Sequence, residues 1–259
     1  MSDVVLLEVS ERIATLTINR PAARNALNSE VRSLLPKLMR EADGRDDVDV
    51  LILTGADPAF CAGLDLKELG SGGNRLGGDR DGMSGGGGTG RGPFAGRTKP
   101  LIGAVNGVAI TGGFELALNC DFLVASERAK FGDTHTRVGV MPGWGMTVLL
   151  PQAVGVRRAR EMSLTGNFML ADEALQFGLV NHVVAHDELI PFTRRLAADI
   201  IGNDQQGVRQ ILSTYNTINA EEPAWQIEAA DSVTWQKSNF SADKVAARRA
   251  AIQERGRTM

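Results

Sequence analysis

The chain has 259 residues, 28 Lys and Arg against 31 Asp and Glu, 43% apolar residues and 30 glycines, which excludes collagen, a disordered tail or a disulfide scaffold and fits a core-forming protein of one or two domains. A formal charge of -3 gives no global basic field for nucleic acid or an anionic membrane, so any anion site has to be built locally. No stretch approaches the roughly 18 uninterrupted apolar residues of a membrane span, no basic-then-apolar leader opens the chain, and Cys61 and Cys120 lack metal-ligand spacing; the expectation is a cytoplasmic protein with buried free thiols and no metal.

Residues 4 to 18 are apolar and β-branched with a break at Ser10-Glu11, which predicts a hairpin whose second arm alternates at period two. Helical spacing follows at positions 31, 34, 35, 38, 39 and 42, with Asn28 or Ser29 placed to cap its start. Pro36 falls inside it, where the ring should kink the axis or cost about 3 kcal/mol. Residues 48 to 54 read as a buried strand, Gly55-Ala56-Asp57-Pro58 as its break, and 64 to 69 as the start of a helix. Residues 70 to 96 hold 13 of the 30 glycines and few apolar side chains, which predicts a mobile surface loop, either a lid or an insertion.

The strand, loop, helix unit then returns, with 101 to 110 as one strand, Gly112-Gly113 as a turn and 114 to 118 as a helix. A third strand is predicted at 122 to 125, helices at 157 to 164 and 171 to 177, and a last strand at 179 to 184. After about Asp187 the pattern is helical, at 194 to 201, 208 to 217, 225 to 235 and 244 to 254. This order predicts an α/β core over residues 1–190 followed by a helical region over 191–259.

Two strand-to-helix turns carry the residues suited to chemistry: Phe60-Cys61-Ala62-Gly63-Leu64-Asp65 and Thr111-Gly112-Gly113-Phe114-Glu115. Amides at a helix start, backed by the helix dipole, attract a negative oxygen. Converging amides of Ala62 and Gly112 would make an oxyanion hole for a thioester carbonyl whose charge grows in the transition state. A Gly-Gly pair before a helix is equally a close-packing device. Glu115, in a first helical turn, is favoured as an anion and placed to activate water. No serine or cysteine nucleophile has a recognisable base partner, and His135, His182 and His186 lack metal-site spacing.

Four segments, NRPAARNALN (19–28), FCAGLDLKEL (60–69), NGVAITGGFELALNCD (106–121) and FGDTHTRVGVMPGWG (131–145), resemble in order and spacing the signature blocks of the enoyl-CoA hydratase/isomerase, or crotonase, superfamily. The resemblance implies a spiral of repeated ββα units with a C-terminal helical trimerisation region, hence a homotrimer or dimer of trimers. It also implies an acyl-CoA substrate bound between subunits or beside that region, with no tightly bound cofactor. Position by position, Ala62 and Gly112 match the two oxyanion-hole amides and Glu115 the first catalytic glutamate. The second glutamate belongs to an FG-x-x-E block, which here reads Phe131-Gly132-Asp133-Thr134-His135. His135 therefore stands where the family carries a carboxylate.

An imidazole titrating near pH 6.5 can relay or donate a proton, with activity falling as pH rises past that value; the plainer alternative is a loop histidine that hydrogen-bonds Glu115. Asp133 competes as a donor only if the loop turns it inward. Trp144 stands where many family members carry a small residue, and either narrows the acyl pocket or simply packs in the core. The family reading places the CoA adenine near Cys61, Ala62, Gly63 and Asp65. The phosphates fall to Arg24, less to Arg20, with Lys237, Arg255 and Arg257 reaching from a neighbouring subunit. The tail reads Glu254-Arg255 where the family ends in a Glu-Lys-Arg run. The implied function is hydration of the 2,3 double bond of an acyl-CoA thioester. The alternatives are double-bond isomerisation, thioester hydrolysis, or acyl-CoA binding with little turnover because the second glutamate is missing.

Overall fold

The computed structural model describes residues 3–71, 92–94, 96–219 and 222–258, with side chains up to residue 255. Most of the glycine-rich segment read as a mobile loop lies outside the described residues. The predicted hairpin is present as β1 (Val5–Ser10) and β2 (Ile13–Ile18), antiparallel with Val5 opposite Ile18. Its two turn residues, Glu11 and Arg12, both take positive φ, 53° and 62°, the backbone that matches the twist of a tight hairpin. Asn28 caps α1 (Ser29–Asp43) by accepting from the Val31 amide at 3.0 Å. The helix runs on through Pro36, whose ring is buried in the stripe of Val31, Leu35 and Met39. Burial on that stripe offsets the lost hydrogen bond.

A ββα unit then occurs three times. It consists first of β3 (Val50–Gly55), β4 (Ala59–Cys61) and α2 (Leu66–Gly70), next of β5 (Leu101–Val105), β6 (Val108–Ile110) and α3 (Gly112–Leu118), and last of β7 (Phe122–Ser126), β8 (Lys130–Gly132) and α4 (His135–Val138). The chain continues through α5 (Met146–Val154), α6 (Val156–Thr165), β9 (Phe168–Leu170), α7 (Ala171–Gln176) and β10 (His182–Val184), then α8 (Leu189–Ile201), α9 (Gln205–Ile218), α10 (Glu222–Asn239) and α11 (Ala242–Thr258). The first strand of each unit enters a six-stranded sheet ordered β1-β2-β3-β5-β7-β10, and the second enters a four-stranded sheet ordered β4-β6-β8-β9. Successive units therefore stack side by side, with parallel pairing in both sheets.

The single strand expected over 101 to 110 is two, because Asn106-Gly107 turns the chain from one sheet to the other. Asn106 donates to Asp57 Oδ1 at 2.9 Å and accepts from the Gly55 amide at 3.3 Å, tying this corner to the previous one. A Cβ on Gly107 would lie 2.4 Å from the Pro58 carbonyl oxygen, so the corner admits only glycine. Both flanks of the corner are apolar, which hid it from periodicity.

Strand β3 is buried on both faces. Leu51 and Leu53 join the main core with Leu35 and Phe114, while Val50 and Ile52 pack with Leu189 and Ala197 of α8 on the far side. Helix α3 also packs tightly against β4: a Cβ on Gly113 would sit 2.2 Å from the Cys61 carbonyl oxygen. Gly113→Ala is expected to lower stability by about 3 kcal/mol, the upper end of over-packing costs, read as a fall in the urea midpoint at unchanged slope. An unchanged midpoint would show that the backbone yields there.

Candidate active site

The three ββα units deliver their strand ends to one place. Cys61 of β4 lies opposite Ala109 of β6, and Ile110 of β6 opposite Gly132 of β8, so the turns that follow are neighbours at the C-terminal edge of the small sheet. Crevices at such edges are where open α/β sheets hold ligands. Thr111, before α3, has φ 53° and ψ -120°, a strained conformation for a β-branched residue. Its amide donates to the Gly132 carbonyl at 2.9 Å and its hydroxyl meets that of Thr134 at 2.6 Å. These bonds lock the start of α3 onto the third turn and swing Glu115 inward.

Glu115, Asp133 and His135 form a buried chain, with side chains 3%, 4% and 5% exposed. His135 Nε2 is 3.4 Å from Glu115 Oε2, and its Nδ1 is 2.6 Å from Asp133 Oδ1. The loop does turn Asp133 inward, but behind the ring, where it orients His135. Burial drives the imidazole toward its neutral form. The two carboxylates outweigh that, Asp133 first, and hold the ring protonated with its pKa raised to about 10. Asp133, despite the burial that opposes its charge, sits below the usual carboxylate range because of His135. The other Glu115 oxygen, Oε1, accepts from the amides of Trp144 at 2.7 Å, Gly143 at 3.2 Å and Met146 at 3.4 Å. One carboxylate oxygen is thus anchored and the other faces the imidazolium.

Glu115 and His135 line a cavity of about 160 Å³ together with Gly112, Trp144, Leu64 and Val140. A smaller cavity of about 70 Å³ is lined by Ala62, Thr111 and Arg255, with Leu64 and Val140 again in its wall. The Trp144 ring closes on Gly112: a Cβ there would be 3.0 Å from the indole. By its position, the Gly112 amide opens α3 without an intrahelical partner.

The expectation of two open amides is corrected at Ala62. Its N–H donates to the Arg24 carbonyl at 3.0 Å, as part of a short ladder in which Leu27 bonds Gly63 at 2.7 Å and Asp65 bonds Leu27 at 3.1 Å. Arg24 and Asn25 take positive φ to make that approach. Nothing in the linear sequence says which carbonyl crosses to a turn so far along the chain.

Of the other residues expected to bind substrate, Cys61 is wholly buried, and burial pushes its thiol up to about 12; it brings backbone to the site, not sulfur. Gly63, at φ 81°, lies so close to Ile110 that a Cβ would be 2.8 Å from that carbonyl oxygen. Asp65 caps α2 through the Lys67 amide at 3.0 Å and pairs with Arg20 at 3.0 Å, which commits Arg20 to the fold. Arg24 and Lys237 are exposed, Arg255 donates to Asn167 at 2.7 Å, and the Arg257 side chain lies outside the described residues.

Two features escaped sequence reading. Ser126 has a histidine after all: its Oγ is 3.0 Å from His186 Nδ1, whose Nε2 is 3.0 Å from Asp57 Oδ2. Ser126 is wholly buried and accepts from the Arg128 amide at 3.1 Å, so this chain fastens β7 to the segment before α8 and offers no nucleophile. The other is Glu228, a buried carboxylate of α10 whose nearest sequence signal is its position between Trp225 and Ser232 on one helical face.

Comparison with known proteins identifies relatives of the whole chain. The family model described as enoyl-CoA hydratase/isomerase matches residues 8–258. A probable peroxisomal enoyl-CoA hydratase of Arabidopsis thaliana is 42% identical over 206 residues, 79% of this chain and 75% of its own. The crotonyl-CoA hydratase of Syntrophomonas wolfei subsp. wolfei is 36% identical over 217 residues, 79% and 78% of the two chains. Among solved structures, an enoyl-CoA hydratase from Mycobacterium smegmatis superposes with a TM-score of 0.81 at 50% identity, covering 92% of this chain and all of the other. A carnitinyl-CoA hydratase from Mycobacterium avium gives a TM-score of 0.84 at 31% identity, covering 98% and 97%.

Proposed function

Because the chain belongs to the enoyl-CoA hydratase/isomerase family, we propose that it adds water across the 2,3 double bond of an enoyl-CoA thioester, with Glu115 as base and His135 as acid. The observation that carries this reading is the buried pair itself, a carboxylate oxygen and an imidazole Nε2 3.4 Å apart beside the Gly112 amide. Glu115 Oε2 takes a proton from water as its oxygen bonds to Cβ. The electron pair of the double bond moves to the thioester, whose oxygen the Gly112 amide and the start of α3 stabilise. His135, held protonated by Asp133, gives its Nε2 proton to Cα. The proton on Glu115 then returns across to His135, and both groups regain their starting states.

The test is the conjugated thioester chromophore of crotonyl-CoA, which purified protein should consume. Tight binding without loss of absorbance would favour a non-catalytic acyl-CoA binder, a reading that rests on the bonded Ala62 amide and on Trp144 pressed against Gly112. Trp144→Ala is expected to raise kcat/KM for ten-carbon over four-carbon enoyl-CoA by about tenfold, the scale of one pocket contact. An unchanged ratio would place the indole in the core and not on the acyl path.

The same proposal includes Arg24 at the CoA phosphates and the adenine beside residues 61 to 65. It also includes no tightly bound cofactor, a cytoplasmic protein, and a homotrimer or dimer of trimers built through residues 191–259. Exposed Ile211, Tyr215 and Ile218 on α9 and Ile227, Val233 and Trp235 on α10 support an interface there. The two free cysteines fit a reducing compartment, and no described helix is long and apolar enough to cross a membrane.

A further inference from the structure

Five consecutive backbone amides run beside the cavity, and two buried carboxylates divide them. Glu115 takes those of Gly143, Trp144 and Met146. Glu228 takes those of Gly145 at 2.6 Å and Thr147 at 2.7 Å, with the Thr147 hydroxyl as a further donor. Among the described residues, α10 buries Trp225, Glu228 and Ser232, which lie at i, i+3 and i+7 on one face. All three meet the same segment. A Cβ on Gly145 would lie 2.3 Å from the Trp225 ring, and one on Gly143 would lie 3.3 Å from Ser232 Oγ.

A surface needed only to dock α10 would be served by an apolar side chain, because a buried carboxylate carries a desolvation cost of several kcal/mol that hydrogen bonds must offset. That cost is visible here, since burial and the neighbouring Glu115 hold the Glu228 carboxyl above the usual range. What the carboxylate supplies, and an apolar group cannot, is acceptors for the two amides that Glu115 leaves over.

We propose that Glu228 is a positioning residue of the active site: by fixing Gly145 and Thr147 it makes the other three amides hold Glu115 with Oε2 toward His135 and keep Trp144 against Gly112. This rests on the hydratase reading above. It makes the C-terminal helical region part of the catalytic apparatus, although none of the proton-transfer groups lies on it.

Glu228→Gln preserves the shape but turns an amine toward a backbone N–H. It is expected to lower kcat on crotonyl-CoA about 10- to 100-fold while KM moves less than about threefold, with Glu228→Asp recovering part of the loss because the charge remains. A folded Gln variant whose kcat is unchanged, or whose kcat and KM change in proportion, would overturn the proposal. Should Glu228→Gln not fold, Thr147→Val removes one donor from the same carboxylate. A kcat lowered at least about threefold at unchanged Tm is then expected, and an unchanged kcat overturns the proposal. Wild-type protein that binds but never hydrates sinks the hydratase reading alone. Positioning is then judged by the ratio of Kd values for four- and ten-carbon saturated acyl-CoA, which Glu228→Gln should shift and which, if unmoved, overturns it.

Discussion

Glu115→Gln is expected to lower kcat on crotonyl-CoA by about 1,000-fold with KM little changed, the middle of the range for losing a general base. Glutamine keeps the length and one carbonyl oxygen, which can still accept from the amides of Gly143, Trp144 and Met146. Its amino group then occupies the place of Oε2, 3.4 Å from His135 Nε2. There it sets a donor against a donor and leaves no acceptor for the water proton. The substitution therefore separates anchoring from base chemistry, and the fold should survive by circular dichroism and Tm. A variant that retains a rate within tenfold of wild type would show that some other group takes the proton and would dismantle the mechanism.

For His135 the expected result is a displaced pH limb together with a lost rate. A histidine in water would lose its proton near 6.5. Here burial favours the neutral ring, but Asp133 at 2.6 Å and Glu115 at 3.4 Å outweigh it and raise the pKa to about 10. The activity attributed to the charged ring should accordingly be level through neutral pH and fall as pH approaches about 10, not 6.5. His135→Gln is expected to lower kcat about 100-fold and to abolish that alkaline limb. A limb that persists in the variant would assign it to another group.

The same shift makes a stability prediction with a definite sign. A group whose folded pKa lies above its unfolded value stabilises fully below the unfolded value and ceases to do so as pH rises through the folded one. With the pKa raised from 6.5 to about 10, the imidazolium contributes its full stabilisation below pH 6.5 and progressively less up to about pH 10. Wild-type Tm should fall across that window, and the fall should be shallower in His135→Gln. Parallel Tm profiles would mean that the folded ring titrates like a free one.

The chain's local chemistry is legible wherever one residue type has a single physical use. The Asn28 cap, the αβ alternation and a glutamate in the first turn of α3 follow from propensity and spacing, and the structure contains each of them, whereas Gly112-Gly113, expected as a turn, are the first two residues of that helix. The three-residue strands β4, β6, β8 and β9 are too short to carry a period. The corner at Asn106-Gly107 is masked by apolar residues on both sides. Replacement of a glutamate by His135 is visible in the linear order, yet its charge state is not, because that depends on Asp133 turning behind the ring.

What linear order alone settled is the family and the α/β class, and it named candidate groups for moving protons, since these depend on residue type and near-neighbour spacing. Only the folded chain decided how those groups stand to one another. The Arg24 carbonyl holds the Ala62 amide, Asp133 and Glu115 enclose one imidazole, and Glu228 reaches from α10 to share a loop with Glu115. Each of these depends on which segments close packing brings within 3 to 4 Å, and on how much water is excluded around the charges. Neither quantity is written in the composition or period of any single segment.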